Sequence, residues 1–262
     1  MLPNFIIIGA QKAGTTAFRG RLSFHPEIYM VKNEIHYFND RLITSPRKRT
    51  YSELGIDWYK SKFNEFNGEK AVGEKSPDYC YDSNVPKRMY ELLPDAKLIM
   101  IVRNPVDRAF SSYKHQVVAG RENLSLEEAI GRESFRMKHN PDGLLHFSYL
   151  YQGYYFNHIT RFLEYYDKNK CLFITFEELC TNPKQVFKDT FEFLEVDSSF
   201  TNKRFKEYSP RVEYIDISPI RGINKGKKIS IKLNSDTRKL LEKVYAKHNR
   251  KLEQLIDKEI QW

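Results

Sequence analysis

A short apolar run, followed by a glycine-bracketed loop and then a helical pattern, constrains the fold of this chain more than any other feature. Phe5-Ile6-Ile7-Ile8 is a continuous, mostly β-branched run, which is typical of a strand buried on both faces of a parallel sheet. Residues 9–14 begin and end with glycine, and residues 15–22 start with two threonines and keep apolar positions at helical spacing until Pro26. A strand, a tight loop and a helix in this order predict an α/β fold.

Strand and helix patterns alternate along the rest of the chain. Continuous apolar runs predict further buried strands at residues 71–73, 97–102 and 171–176. Apolar residues at helical spacing predict helices at residues 85–93, 106–118, 149–166, 183–194 and 235–256. The alternation predicts a single α/β domain over residues 1–262, with a mostly parallel central sheet, flanking helices and a P-loop-like strand–loop–helix. Weak periodicity at residues 39–70 and 120–148 predicts loops or insertions that carry substrate contacts.

Composition excludes several classes of protein. With 262 residues and 40% hydrophobic positions the chain can bury a sizeable core, yet no apolar run approaches the ~20 residues that a membrane-spanning helix needs. The first residues have neither the basic start nor the small-residue cleavage site of a signal peptide. The three cysteines lack a CxxC pair and any metal-ligand spacing, which indicates reduced thiols. We therefore expect a cytoplasmic protein with no disulfide, no metal and no membrane span.

The positive charge of the chain is concentrated near its end. The net charge is +9, and residues 201–262 contain 16 basic and 8 acidic residues. This region is expected to face an anion, such as a phosphate-rich cofactor, a polyanionic substrate, an acidic lipid surface or nucleic acid. For the terminal helix itself, a solubilising surface is the alternative explanation.

The loop between the first strand and the first helix has the position and composition of an anion site. Backbone N–H groups and the helix dipole attract an anion there, and two glycines five residues apart let the backbone wrap a phosphate. The alternative is an ordinary tight turn. The loop is not a Walker A motif, because Thr15 rather than lysine follows Gly14, and Arg103 rather than a magnesium-binding carboxylate follows the strand at 97–102. The candidate anion-binding residues are Gln11, Lys12, Ala13, Gly14, Thr15 and Thr16.

A second candidate phosphate site follows the strand at residues 97–102. Arg103 comes directly after the strand, Pro105 is suited to the first helical turn, and Ser111 falls two turns further on. A helix that starts near Pro105 would allow Arg103 and Ser111 to clamp one phosphate. Taken alone, Arg103 is better explained as a helix-capping or ion-paired residue, but the two motifs together favour a phosphate site.

Together these motifs resemble the sulfotransferase family, in particular its heparan sulfate branch. The resemblance covers nearly the whole chain, with the motifs in the family's order. The segments that carry it are Gln11-Lys12-Ala13-Gly14-Thr15-Thr16, His25-Pro26, Lys32 to Phe38, Gly73 to Tyr79, Arg103-Asn104-Pro105 with Ser111, Gly153-x-Tyr155, Phe176 to Leu179 with Asn182-Pro183, Lys225-Gly226-Lys227 and His248 to Leu252. The chain is therefore expected to be a microbial member that lacks a membrane anchor.

The resemblance implies transfer of a sulfuryl group from 3′-phosphoadenosine 5′-phosphosulfate (PAPS) to a hydroxyl of a carbohydrate or glycoconjugate. Adenosine 3′,5′-bisphosphate (PAP) would be the product, and no metal would take part. In this interpretation Glu34 is the general base, and Lys12 lies near the bridging oxygen of the donor. Lys75 lies beside the acceptor. If its segment is extended, His36 projects to the same side as Glu34, where it orients the acceptor or shares the proton.

The same resemblance implies which residues hold the donor. They are the loop residues Gln11 to Thr16, together with Arg103 and Ser111 at the 3′-phosphate and Lys225, Gly226 and Lys227 closing over it. Lys227 stands where the family often has arginine, which removes a bidentate phosphate contact. Asp40 is displaced relative to an acidic residue of some relatives, so its role stays open. Animal members carry a membrane anchor and a disulfide ahead of the Lys-Gly segment, neither of which is expected here.

Several alternatives stay open from the sequence. The acceptor could instead be a lipid, a small alcohol, a polyketide hydroxyl or an amine. A P-loop nucleotide kinase would also use the glycine loop, although the displaced lysine and the missing acidic residue oppose it. A basic nucleic-acid-binding module would explain the charge, but no recognition motif supports it and no nucleic-acid partner is expected. The oligomeric state is not predicted.

Overall fold

The computed structural model describes residues 1–39, 51–140, 142–205, 231–260 and 262. The chain groups into two compact units. The first unit comprises residues 1–102 and 157–208, and the second comprises residues 103–156 and 209–262. Among the helices described, none is long and apolar enough to cross a membrane.

The first unit contains a parallel β-sheet. Its strands are β1 (Phe5–Gly9), β2 (Ile28–Met30), β3 (Ala71–Lys75), β4 (Lys97–Val102) and β5 (Cys171–Thr175). They lie in the order β2-β3-β1-β4-β5, and every neighbouring pair is parallel. The predicted α/β class with a parallel sheet is confirmed. Among the strands that the structure describes, β2 alone was missed, because three residues are too few to show a periodic pattern.

Helices connect the strands and continue into the second unit. They are α1 (Thr15–Leu22), α2 (Ile56–Lys60), α3 (Val85–Leu92), α4 (Pro105–Val118), α5 (Leu126–Gly131), α6 (Glu133–His139), α7 (Gly143–His146), α8 (Tyr155–Leu163), α9 (Phe176–Thr181), α10 (Pro183–Phe193) and α11 (Ser235–Ile256). The predicted bounds of α1 and α11 agree with the structure.

Two predictions about local structure were wrong in part. The helix predicted at residues 149–166 begins only at Tyr155, because the N–H groups of Leu150 and Tyr151 each donate to the Glu133 carboxylate at 2.7 Å. These tertiary hydrogen bonds replace the helical ones. The stretch 120–148, predicted as loop, contains α5, α6 and α7, which are too short to show helical periodicity.

Close packing at β1 fixes the point from which the glycine loop departs. Phe5, Ile6 and Ile7 are fully buried, and each such side chain contributes about 1.5–3 kcal/mol on leaving water. On the neighbouring strand, a Cβ atom at Gly73 would lie 2.2 Å from the Phe5 ring. Glycine at position 73 therefore leaves the space in which the Phe5 ring packs against β3.

The second unit packs α4 against α11. Val106 lies in one buried cluster with Leu241 and Tyr245. Pro105 occupies the first turn of α4, as predicted, and the Asn104 side chain accepts hydrogen bonds from the N–H groups of Val106 and Asp107 at 2.9 and 3.2 Å. The Asn104 side chain therefore caps the start of α4.

Candidate active site

The glycine loop turns sharply between β1 and α1. Lys12 and Gly14 both have left-handed backbone conformations, with φ of 67° and 86°. Gly14 is the N-cap of α1, and it supplies no side-chain oxygen to the first N–H groups of the helix. A helix start of this kind attracts anions through its N–H groups and its dipole. The loop therefore has the geometry expected of a phosphate or phosphosulfate site.

Hydrogen bonds from distant parts of the chain hold the loop in shape. The Gln11 N–H donates to the Tyr81 hydroxyl at 2.8 Å, and the Ala10 N–H donates to the Ile101 carbonyl at 2.8 Å. The side chain of Tyr81 is buried. Because Gln11 and Tyr81 are 70 residues apart, no local sequence signal connects them. Sequence reasoning therefore missed Tyr81.

A chain of charged side chains leads away from the start of α1. Lys75, at the end of β3, donates to the Thr16 hydroxyl at 3.0 Å and forms an ion pair with Glu34. The second carboxylate oxygen of Glu34 lies 3.2 Å from Nε2 of His36. The structure thus brings together Thr16, Glu34, His36 and Lys75, which sequence analysis had placed in one site.

His36 reaches Glu34 by a different route from the one expected. The sequence argument assumed an extended segment in which alternate side chains share a side. His36 instead has a left-handed backbone conformation, with φ of 54°. The N–H groups of Ile35 and His36 both donate to the Ser76 hydroxyl, at 3.2 and 3.0 Å. A buried hydroxyl of a neighbouring segment therefore sets the direction of the His36 side chain.

Glu34 and His36 strongly perturb each other's pKa. Burial opposes ionisation of Glu34, but the hydrogen bond from His36 and the charge of Lys75 outweigh it and lower the pKa of Glu34 to about 2. Burial likewise opposes protonation of His36, but the charge and hydrogen bond of Asp78 and the contact with Glu34 raise the pKa of His36 to about 10. At neutral pH, Glu34 is an anion and His36 a cation.

This electrostatic arrangement bears on the predicted role of Glu34. A general base is most effective when its pKa lies near the working pH. With two cationic neighbours Glu34 is fully ionised but weakly basic. Loss of either the Lys75 or the His36 contact would raise the pKa of Glu34.

A buried carboxyl group supports the segment that carries Glu34 and His36. Glu74 is fully buried in β3 and accepts hydrogen bonds from Tyr59 at 2.6 Å and Ser76 at 2.9 Å. Burial raises the pKa of Glu74 to about 7, although these hydrogen bonds act in the opposite direction. The hydroxyl of Ser76 that donates to Glu74 also accepts from the backbone N–H of His36. Sequence reasoning did not single out either residue for this role.

The remaining predicted site residues are placed as follows. Gln11, Lys12, Ala13 and Thr15 belong to the glycine loop and the start of α1 in the first unit. Arg103 and Ser111 belong to the second unit, where Arg103 is half-buried before α4 and Ser111 is buried within it. Asp40, Lys225, Gly226 and Lys227 lie outside the described residues.

Comparison with known proteins identifies the family. The family model described as "Sulfotransferase domain" matches residues 2–250. The chain belongs to the sulfotransferase family. The predicted enzyme class is therefore confirmed at the level of the family.

The curated relatives are larger proteins. This sulfotransferase chain is 30% identical over 273 residues to the bovine bifunctional heparan sulfate N-deacetylase/N-sulfotransferase 2, an alignment that covers 98% of the chain and 30% of that protein. It is 30% identical over 207 residues to human heparan sulfate glucosamine 3-O-sulfotransferase 6, covering 78% of the chain and 55% of that protein. The chain thus spans between about a third and about a half of these relatives' own length.

Solved structures show the same fold. A sulfotransferase from Alicyclobacillus acidocaldarius superimposes with a TM-score of 0.80 at 31% identity, covering 99% of this chain and 98% of that chain. The mouse sulfotransferase SULT7A1, solved as a complex with PAP, has a TM-score of 0.50 at 15% identity, over 78% of this chain and 61% of that chain. The second similarity shows the fold alone.

Proposed function

We propose that this sulfotransferase moves a sulfuryl group from PAPS to a hydroxyl of a carbohydrate or glycoconjugate, with Glu34 accepting the hydroxyl proton. The observation that carries the proposal is the contact chain from Thr16 through Lys75 and Glu34 to His36. It joins a carboxylate base to the start of the helix that follows the glycine loop. Such a reaction needs an aligned acceptor, a base and positive charge near the leaving phosphate.

The loop chemistry fits an anionic donor. Its backbone N–H groups, the start of α1 and the Lys12 ammonium are the groups that a phosphosulfate would require. PAPS would supply the electrophilic sulfur and a stable leaving group. Lys12 would neutralise the charge that develops on the leaving oxygen, and Lys75 and His36 would orient the acceptor. Arg103, Ser111, Lys225, Gly226 and Lys227 remain proposed contacts of the 3′-phosphate.

A saccharide acceptor is favoured by the names of the curated relatives, which are heparan sulfate enzymes. Those names include both N- and O-sulfotransferases, so the acceptor atom needs a separate argument. Glu34 already lies between the cationic His36 and Lys75. A protonated amine would add a third positive charge at this place, whereas a hydroxyl adds none. We therefore propose a hydroxyl acceptor.

We also propose that the whole chain acts as one sulfotransferase domain. The family model extends over residues 2–250 and so includes most of both compact units. The family model thus includes residues of both units and is not confined to one of them.

Ligand-dependent unfolding tests the donor class. PAP at about 100 times its dissociation constant should stabilise the protein by ~2.7 kcal/mol, and ATP with magnesium should not. Stabilisation by ATP alone would contradict the proposal in favour of a kinase. If neither nucleotide stabilises the protein, the result contradicts the proposed donor and favours a binding role for the basic C-terminal region.

Sulfuryl transfer from radiolabelled PAPS then tests the base and the acceptor. Glu34→Gln should keep PAP binding and lose about 10²- to 10⁴-fold in turnover. Glu65→Gln is the matched control, because the Glu65 side chain is 71% exposed and pairs only loosely with Lys32, at 3.5 Å. Equal turnover in both variants would remove Glu34 from the mechanism. Transfer to an N-deacetylated glucosamine polymer but not to its N-acetylated form would show an amine acceptor instead.

A further inference from the structure

A second carboxylate, that of Asp78, contacts His36, and sequence analysis gave Asp78 no role. Nδ1 of His36 lies 2.8 Å from Oδ1 of Asp78, in the turn that follows β3. The side chains of both residues are only 5% exposed. The second oxygen of Asp78 accepts a hydrogen bond from the Asn39 side chain. Asp78 is therefore a buried carboxylate that is held on one side and contacts His36 on the other.

The His36 ring is fixed between two carboxylates. Its Nδ1 contacts Asp78, and its Nε2 contacts Glu34 at 3.2 Å. A neutral imidazole has one N–H donor and one acceptor, whereas the imidazolium has two donors. Only the imidazolium can donate to Asp78 and Glu34 at the same time. The charges of the contacting side chains then alternate in sign, from Asp78 through His36 and Glu34 to Lys75.

We propose that Asp78 is a positioning residue for sulfuryl transfer: it holds the His36 ring with Nε2 against Glu34 and keeps both ring nitrogens protonated. This inference rests on the proposed role of Glu34 as the base. Asp78 touches neither donor nor acceptor in this scheme and acts only through His36. Through His36, Asp78 keeps the Glu34 carboxylate in one orientation while Glu34 accepts the acceptor proton.

A pH dependence follows from the proposal. Among the described residues, Asp78 and Glu74 interact with His36, and Lys75 interacts with Glu34. Tyr79 lies next to Glu74 and Asp78. The charge of Asp78 contributes most to the raised pKa of His36, against the effect of burial. The charged form of His36 is therefore present below about pH 10 and is lost above it. Without the charge of Asp78, this loss moves to lower pH.

The test compares the wild-type chain with Asp78→Asn over a range of pH. We expect at least a tenfold lower kcat, unchanged stabilisation by PAP and an alkaline limb of the kcat profile that moves to lower pH. Asp95→Asn is the matched control, because it makes the same change at a carboxylate that is 94% exposed. Asp78→Glu, which keeps the charge, should recover part of the activity. A uniform loss of kcat at every pH would overturn the proposal.

A double-mutant cycle separates positioning from a general structural effect. If Asp78 acts through His36, then Asp78→Asn should have no further effect on kcat in a His36→Gln background. Independent, multiplicative losses would contradict the inference.

One measurement does not depend on catalysis. In the wild type, ¹H–¹⁵N spectra near about pH 8 should show both nitrogens of His36 protonated, with His36→Gln identifying the signal. A neutral ring at this pH would refute the role of Asp78, even if Asp78→Asn failed to fold. If the wild type transferred no sulfuryl group but the ring was protonated, the proposed function would fail while the Asp78 contact stood.

Discussion

Replacing Glu74 by glutamine should remove the contribution of this buried carboxyl group to the pH dependence of the free energy of unfolding of the first unit. Glu74 lies behind the proposed catalytic segment and is linked to it through Ser76, whose hydroxyl contacts the carboxylate at 2.9 Å and the His36 N–H at 3.0 Å. Burial raises the pKa of Glu74 from 4.5 to about 7, while hydrogen bonds from Tyr59 and Ser76 oppose that rise. The ionised form is therefore disfavoured in the folded protein.

The sign and size of the effect follow from this pKa. Because the folded protein holds the Glu74 proton more tightly than the unfolded chain, the group stabilises the fold fully below about pH 4.5. This stabilisation is lost as the pH rises through about 7. At about 1.4 kcal/mol per pKa unit, the free energy of unfolding falls by about 3 kcal/mol over this window.

Urea unfolding of the two proteins at about pH 5, 6, 7 and 8 measures the effect. The sequence contains two tryptophans, so a Trp262→Phe background leaves Trp58 as the reporter of the first unit. The wild type should lose stability relative to Glu74→Gln as the pH rises, and groups common to both proteins cancel in the difference. Glu164→Gln, at an exposed position, is the control. If wild type and Glu74→Gln show parallel pH curves, Glu74 is ionised without cost and the reasoning is refuted.

Two further predictions concern buried hydrogen bonds. Tyr81→Phe leaves the Gln11 N–H in the glycine loop without its acceptor, which costs about 1–3 kcal/mol and should weaken PAP binding by roughly 5- to 150-fold in calorimetric titrations. Tyr166→Phe removes a hydroxyl that bonds a carbonyl away from the loop, so an equal loss there would contradict a specific role. Arg108→Met removes two buried hydrogen bonds of a fully buried guanidinium and should destabilise the second unit by about 2–5 kcal/mol in urea unfolding. Exposed Arg132→Met should change stability by less than about 0.5 kcal/mol, and a similar small change for Arg108 would refute its structural role.

Local patterns in the sequence were enough to predict the α/β class, most strands and the start of α1. A buried strand, a glycine loop and a helix are encoded by neighbouring residues, so their order can be read directly. The short helices between residues 120 and 148 and the late start of α8 could not be predicted in this way. The helices α5, α6 and α7 are too short to show a periodic pattern, and the start of α8 depends on hydrogen bonds to Glu133 that periodicity does not reveal.

The residues of the candidate site also fall into those that the sequence identified and those that it did not. Glu34, His36 and Lys75 were identified through motifs that resemble a known family, and Lys12 with Thr16 through the glycine loop. Asp78 and Tyr81 were not assigned a role, because their partners His36 and Gln11 lie 42 and 70 residues away in the sequence. Glu74 was not assigned one because it is linked to His36 only through Ser76, which is 40 residues from His36. No spacing rule connects residues across such distances.

By itself, therefore, the sequence determined that a glycine-bracketed turn follows a buried strand, and it predicted an anion site there that a carboxylate, a histidine and two lysines accompany. Only the tertiary structure decided how these groups act on one another. The parallel pairing of β3 with β1 places the end of β3 beside the loop, so that Lys75 reaches Thr16 and Glu34 while the turn beyond it supplies Asp78 to His36. The charge state of each group depends on these contacts and on burial, both of which exist only in the folded chain.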